Sequence, residues 1–206
     1  MIISKKKSEQ VAEILLNINA VKLQPSNFFT WTSGKKSPIY CDNRLLLSYV
    51  KERKVIRDFF CEYIADKYSN IDYIAGVATG AIPHGMMVAD KLELPFVYIR
   101  PEAKKHGRKN QIEGELKPES NVIVIEDLIS TGKSSMKAIE AVEQSGSKVI
   151  ELISIFTYEF VDQNKLKRPY FSLCNYSTLI EFAIKKNMIN KNDKDILFKW
   201  QKKASN

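Results

Sequence analysis

The sequence predicts an α/β protein with an open, mainly parallel, twisted sheet flanked by helices. From residue 71 onward, strand patterns alternate with helix patterns, as in sheets built with right-handed crossovers. Segment 121–127 shows almost no alternation of polar and apolar residues, which is typical of a strand buried on both faces of a parallel sheet, and segment 148–156 predicts another buried strand. Composition does not shift along the 206 residues, so we expect a single domain over residues 1–206.

The N-terminal part predicts two helices separated by an aromatic segment. Apolar residues at helical spacing indicate an amphipathic helix over 9–23 and a second helix over 49–68. Between them, residues 28–44 mix aromatics with Ser, Gly and Pro, which favours a loop or hairpin.

Shorter patterns predict the remaining elements. Residues 101–118 are charged and lack periodicity, so they predict a long polar loop, and such a loop inside a compact domain is usually functional or disordered. In order, we expect a strand over 71–77, a turn over 78–81, a helix over 83–92, strands over 96–100 and 121–127, a helix over 132–144, a strand over 148–156, and helices over 177–186 and 193–203, with Trp200 anchoring the last helix.

The chain is basic, with a formal charge of +8 and a pI near 9.2. Such a charge fits nucleic acid, an anionic membrane surface or a small polyanionic substrate, and charge alone does not choose among them. We interpret the lysine-rich tracts 5–7 and 185–203 as solvated helix faces without an assigned function.

The cysteines and the hydropathy of the chain indicate the cellular compartment in which the protein is expected. Cys41, Cys61 and Cys174 are odd in number and lack CxxC spacing, which argues against a disulfide framework or a zinc site and fits a reducing cytosol. No segment reaches the roughly 18 to 20 apolar residues that span a bilayer. We therefore expect a cytoplasmic protein that is neither exported nor embedded in a membrane.

Residues 121–135, NVIVIEDLISTGKSS, carry the candidate chemistry. The hydroxyl-rich turn 130–134 opens a helix, so backbone N–H groups, hydroxyls and the helix dipole can converge on one phosphate. A P-loop would need glycine where Asp127 stands, which disfavours a nucleoside triphosphatase. Ionised carboxylates accept hydrogen bonds from vicinal hydroxyls, so Glu126 and Asp127 suit a ribose diol. Together these groups predict a site for a ribose 5-phosphate.

An alternative interpretation is structural. Acidic residues favour helix N-termini, and Glu126 and Asp127 could cap the next helix and face solvent. The combination of a buried strand, an acid pair and a hydroxyl-rich turn is more specific than any one part, and it favours the ligand site.

Four apolar residues, two acids and a Gly- and Ser-rich turn resemble the phosphoribosyl diphosphate (PRPP) signature of type I phosphoribosyltransferases. Three further segments, FTWTSGKKSPIYCDNR, YIRPEAKKHGRKNQIEG and CNYSTLIEFA, resemble the orotate phosphoribosyltransferase family. The resemblance extends from Phe28 to Trp200. It implies the type I phosphoribosyltransferase fold, with a small hood formed by residues 1–45 and a mobile catalytic loop over about 100–118.

The resemblance also implies a set of site residues. The PRPP site would comprise Arg100, Lys104, His106, Glu126, Asp127, Leu128, Ile129, Ser130, Thr131, Gly132, Lys133 and Ser134. The catalytic residues would be Arg100, Lys104, His106 and Asp127, and Ser130 also falls where the family contacts orotate. Family members use Mg²⁺, held mainly by PRPP and water rather than by an all-protein cage. The family loop reaches into the other subunit's site, which implies a homodimer with shared active sites.

Two departures from the family pattern concern charge. Lysines are frequent in the family where this chain has Gly80 and Pro101. An arginine for orotate often follows the strand that here ends at Thr157 and Tyr158. Our hypothesis for the orotate site is therefore a separate set, in which Arg44 or Lys36 pairs with the carboxylate, Tyr40 stacks on the ring and Ser130 contributes its hydroxyl.

The resemblance implies transfer of the 5-phosphoribosyl group from PRPP to N1 of orotate, giving orotidine 5-phosphate and diphosphate in UMP biosynthesis. Two alternatives stay open: a phosphoribosyltransferase for another base, and a non-catalytic PRPP-sensing regulator. We expect neither nucleic acid nor a membrane as a partner. A regulator of transcription would need a DNA-binding module, and no helix-turn-helix pattern precedes residue 25.

Overall fold

The computed structural model describes residues 4–31, 34–102, 111–161 and 170–205. The helices are α1 (Lys5–Asn17), α2 (Val50–Lys67), α3 (Ile82–Leu92), α4 (Lys133–Gln144), α5 (Tyr176–Lys185) and α6 (Asp193–Ser205), with a 3₁₀ helix at Asn43–Ser48. The strands are β1 (Val21–Leu23), β2 (Phe29–Thr30), β3 (Lys36–Ser37), β4 (Ile39–Cys41), β5 (Tyr73–Val77), β6 (Phe96–Ile99), β7 (Ile112–Glu113), β8 (Asn121–Ile129), β9 (Lys148–Thr157) and β10 (Tyr170–Asn175).

A six-stranded sheet organises the described residues, in the order β10-β9-β8-β5-β6-β7. All neighbouring strands pair in parallel except β7, which runs antiparallel to β6. Strand β8 lies between β5 and β9, so both of its backbone edges pair within the sheet. This architecture confirms the predicted α/β class with a mainly parallel sheet.

Alternating residues of β8 divide the core into two layers. Ile123 and Ile125 pack in the cluster that includes Phe60 of α2, whereas Val122 and Val124 pack with Val142 of α4. Because side chains of a strand point to opposite faces in turn, one apolar run serves both layers. The helices on each side thereby fix where the carboxyl end of β8 lies.

The predicted first helix, 9–23, is wrong at both ends. The helix begins at Lys5, because the Ser4 side chain accepts a hydrogen bond from the Lys7 backbone N–H. It ends at Asn17, and Asn19 takes a left-handed conformation with φ of 58°. Residues Val21–Leu23 then form β1 and pair antiparallel with β4.

Other predicted boundaries change where strands pair over long distances. Strand β8 continues through both acids to Ile129, which pairs with Thr157 of β9. Within the predicted polar loop, Ile112–Glu113 forms β7 beside β6. Strand β10 was not predicted. In contrast, the helix predicted over 49–68 corresponds closely to α2.

Candidate active site

The acid pair lies at the carboxyl edge of the sheet, beside the loop that follows β5. Glu126 and Asp127 border a cavity of about 420 Å³. Thr79 and Gly80 of the β5–α3 loop and Ser134 of α4 form other parts of its wall. Ligands of open α/β sheets bind at this edge, so the geometry agrees with a ligand site rather than a solvated helix cap.

Glu126 is almost completely buried, with 5% of its surface exposed. Its Oε1 accepts a hydrogen bond from the Asp127 N–H at 3.1 Å, and its Oε2 accepts one from the Ser135 hydroxyl at 3.3 Å. Burial, followed by the neighbouring Asp127 charge, raises the pKa of Glu126 well above its ordinary value. A carboxyl with a raised pKa keeps its proton to higher pH, and a cation placed beside it would favour the ionised form.

Asp127 is partly exposed and closely surrounded. Its backbone carbonyl accepts a 2.6 Å hydrogen bond from Nδ2 of Asn43, at the start of the 3₁₀ helix. A Cβ atom at Gly80 would lie 2.5 Å from Cγ of Asp127. The backbone at Gly80 therefore occupies the space beside this carboxylate.

The turn between β8 and α4 exposes a helix N-terminus. Gly132 has φ of 74°, a left-handed conformation that side-chain-bearing residues rarely adopt. Helix α4 begins at the next residue, Lys133, and no side chain in the described parts of the chain caps its first turn. Its first backbone N–H groups are therefore available to an anion.

Arg100 lies where β6 meets the basic loop. Its backbone N–H donates to the Gln111 carbonyl at 2.8 Å, which joins the two sides of the loop, and its Nη1 lies 3.4 Å from Oε1 of Glu113. Within the described residues, its buried Nε has no hydrogen-bond partner. The other predicted catalytic residues of this loop, Lys104 and His106, lie outside the described residues.

The structure separates the three hood residues predicted for orotate. Arg44 borders the cavity of the acid pair, where its guanidinium donates two hydrogen bonds to Asp42, at 2.6 and 2.9 Å. Lys36 borders a second cavity together with Ser130, and its Nζ donates to Oγ1 of Thr30 at 2.7 Å. Tyr40 is 41% exposed and packs against Phe29, with the ring centroids 5.8 Å apart.

The second cavity, of about 680 Å³, lies on the other side of the turn after β8. Ser130 and Thr131 border it on the sheet side, and Lys36 borders it on the hairpin side. Helix α6 supplies another wall, with Trp200 among its residues. The predicted phosphate turn thus separates an acidic cavity from one edged by lysines.

Two residues of the site were not predicted to belong to it. Asn43 holds the backbone of Asp127, as described above. His84 on α3 is 2% exposed, its Nε2 has no partner among the described residues, and burial lowers its pKa despite the nearby Asp127 charge and a hydrogen bond with the Asn43 backbone. The IPHG sequence after the β5 turn was the available signal for His84. No local pattern indicates that Asn43 reaches β8, 84 residues further along the chain.

Comparisons with known proteins connect this geometry to a family. Residues 46–188 match the model of the phosphoribosyl transferase domain. An orotate phosphoribosyltransferase of Phocaeicola vulgatus is 49% identical over 195 residues, which cover 93% of this chain and 92% of that relative. One from Staphylococcus epidermidis is 44% identical over 202 residues, covering 96% and 100%.

The chain belongs to the orotate phosphoribosyltransferase family. A solved structure supports the same assignment: the orotate phosphoribosyltransferase of Aeropyrum pernix superposes with a TM-score of 0.75 at 28% identity, covering 87% of this chain and 99% of the other. That the acid pair and the turn before α4 form a PRPP site stays a prediction.

Metal-binding clusters and membrane-spanning helices are both missing from the described parts of the chain. Over the described ranges, no group of three or more His, Cys, Asp and Glu side chains is arranged to hold a metal ion. None of the helices in those ranges has both the length and the apolar character needed to cross a membrane.

Proposed function

We propose that this site transfers the 5-phosphoribosyl group of PRPP to N1 of orotate, forming orotidine 5-phosphate and diphosphate in pyrimidine (UMP) biosynthesis. One observation carries the proposal. In a chain of this family, the Glu126–Asp127 pair and the uncapped N-terminus of α4 flank one short turn at the carboxyl edge of the sheet.

The two sides of that turn match the two ends of a ribose 5-phosphate. Hydroxyls O2 and O3 donate to Glu126 and Asp127, whereas the 5-phosphate accepts from backbone N–H groups and hydroxyls between Ser130 and Ser134. Leu128 and Ile129 join these halves as the end of β8 and set their separation. Lys133 adds a positive charge at the first residue of α4.

The chemical step separates charge. As the bond between C1 and the diphosphate oxygen breaks, positive charge develops on the ribose ring and negative charge on the diphosphate, while N1 of orotate forms the new bond to C1 and releases its proton to water. Arg100, Lys104 and His106 stabilise the departing diphosphate, and Lys104 or His106 donates a proton to it. Asp127 holds the ribose hydroxyls so that C1 faces the base.

The carboxylate oxygens at this site fit a Mg²⁺ ion that is bound mainly through the substrate. Mg²⁺ would be held mainly by PRPP and water, and Asp127 would be the nearby carboxylate of the kind that Mg²⁺ prefers as a ligand. When bound, Mg²⁺ neutralises charge on the diphosphate.

We further propose a homodimer in which residues 100–118 complete the partner subunit's active site. Supporting this, Leu45, Tyr49, Val50 and Met86 are large apolar residues with 40 to 50% of their surface exposed, and they lie on the 3₁₀ helix, at the start of α2 and on α3. A second copy of this chain is the occupant we propose for these residues. The test mixes a Lys104→Ala subunit with an Asp127→Asn subunit. Recovered activity supports sites completed across the interface, and inactive mixed dimers would contradict it.

An ultraviolet assay decides among the functions. We expect the absorbance of orotate to change steadily when the protein is mixed with PRPP, Mg²⁺ and orotate, and not to change when any one of them is omitted. Product formation from hypoxanthine, guanine or xanthine instead would support a phosphoribosyltransferase for another base. A folded dimer that binds PRPP but converts no base would support the PRPP-sensing regulator.

A further inference from the structure

The cavity of about 680 Å³ is bordered by both aromatic residues and lysines. Trp31, Phe160 and Trp200 form aromatic parts of its wall, and Ser130 and Thr131 connect it to the turn before α4. Its four lysines come from two elements: Lys35 and Lys36 from the hairpin, and Lys199 and Lys203 from α6. A planar, negatively charged aromatic molecule matches these walls.

Helix α6 is held firmly against this cavity. Nε1 of Trp200 donates to the Lys36 carbonyl at 3.0 Å, and Nε2 of Gln201 donates to the Tyr158 carbonyl at 3.0 Å. The Trp200 and Trp31 rings meet edge to face with centroids 5.8 Å apart. Lys199 and Lys203 are four residues apart, so they share one face of the anchored helix.

The arginine that the family often supplies is absent, Arg44 is paired elsewhere, and Lys36 at this same cavity donates to Oγ1 of Thr30. The end of β9 places Thr157 and Tyr158 where the family often has an arginine, and both are buried and uncharged. Arg44 is paired with Asp42 and borders the other cavity. In contrast, Lys199 and Lys203 form no ion pair within the described residues. A carboxylate entering beside Ser130 would meet ammonium groups from α6.

We propose that Lys199 and Lys203 of the C-terminal helix recognise the carboxylate of the pyrimidine substrate and are specificity-determining residues for an anionic base. The inference rests on the proposed function and deepens it. The aromatic walls hold the flat ring, and the two ammonium groups favour orotate over a neutral pyrimidine such as uracil, because only the former supplies a charged acceptor. This assigns a role to two lysines of a tract that the sequence alone indicated to be a solvated face.

The test replaces both lysines by an uncharged side chain of similar length. Lys199→Met/Lys203→Met should raise the KM for orotate roughly 10-fold to 100-fold, the effect of losing hydrogen bonds to a charged group. The KM for PRPP should stay within about twofold. Lys202→Met is the matched control, because Lys202 is exposed on the same helix and does not border the cavity. Lys199→Arg/Lys203→Arg keeps the charge and should keep the orotate KM within a few-fold.

The possible outcomes distinguish a failure of the proposed function from a failure of the assignment of Lys199 and Lys203. A wild-type protein that converts no orotate would overturn the proposed function and, with it, this assignment. With an active wild type, an orotate KM equal to that of Lys202→Met would overturn the assignment alone. Equal increases in the KM of both substrates would also overturn it, because the lysines would then serve the phosphate turn. Thermal unfolding of the double variant at the wild-type temperature excludes misfolding as the cause of a raised KM.

Discussion

Gly80 lies directly against the side chain of Asp127, so that a Cβ atom at position 80 would come within 2.9 Å of Oδ1. The two residues come from different loops at the same edge of the sheet. The family resemblance implies that many members carry a lysine where this chain has Gly80. Here the close approach of the backbone leaves no room for a side chain unless Asp127 moves, so backbone packing sets the position of the acid.

Gly80→Ala should therefore impair PRPP use. Displacing a reacting or binding group by about 1 Å can cost on the order of 100-fold in rate, so we expect kcat/KM for PRPP to fall roughly 10-fold to 100-fold. Steady-state kinetics measure this. Gly85→Ala is a contrasting variant, since its Cβ would meet the Phe96 ring at 2.8 Å and should lower stability without a selective effect on PRPP. Unchanged kinetics in Gly80→Ala would show that Asp127 tolerates the displacement.

Asp127→Asn keeps the shape of the side chain and removes its charge. We expect kcat/KM for PRPP to fall roughly 30-fold to 1000-fold, corresponding to a loss of about 2 to 4 kcal/mol of transition-state stabilisation. The control is Asp66→Asn, an exposed position on α2, which should leave the kinetics unchanged. Equal activity of the two variants would exclude Asp127 from the site.

Glu126→Gln should change the pH dependence of stability. Burial raises the pKa of Glu126 in the folded state, so above the ordinary carboxyl pKa the unfolded chain releases a proton that the folded protein keeps. Folding stability contributed by this group is thus lost as pH rises from that ordinary pKa through the raised one, at about 1.4 kcal/mol per unit of pKa difference. We expect the wild type to lose more stability than Glu126→Gln between about pH 4.5, near the ordinary carboxyl pKa, and about pH 7.5. Denaturant unfolding at both pH values measures the difference, and parallel curves would contradict it.

His84→Gln should act at mildly acidic pH with the opposite sign. Burial lowers the pKa of His84, so below the ordinary histidine pKa the unfolded chain binds a proton that the folded protein does not, and stability falls as pH decreases. At about one pH unit below that value the loss is at most about 1.4 kcal/mol. The chain has two histidines, so His84→Gln leaves only His106 to titrate in this range. Equal acid sensitivity of variant and wild type would contradict a lowered pKa of His84 in the folded state.

Trp200 should contribute strongly to the stability of α6. Trp200→Phe removes the hydrogen bond to the Lys36 carbonyl while keeping a ring, which should cost about 1 kcal/mol. Trp200→Ala also removes the contacts with Trp31 and Phe160 and should cost about 3 to 5 kcal/mol. Denaturant midpoints measure both changes, with Lys202→Ala as a surface control expected within about 0.5 kcal/mol. If Trp200→Ala matched that control, α6 would not depend on this side chain.

The amino-acid sequence by itself determined the α/β class, the buried strands and the location of the acid pair beside a hydroxyl-rich turn. These features depend on local order: β8 is apolar on both faces, and Glu126, Asp127 and Gly132 follow one another within seven positions. The reaction itself was predicted from the resemblance to a family. Only tertiary structure decided that Val21–Leu23 pairs with β4, that Asn43 holds Asp127, and that α6 brings Lys199 and Lys203 beside Ser130. The physical reason is that these contacts join residues far apart in the chain, and packing of the whole sheet and its helices, rather than the spacing of neighbouring residues, brings them together.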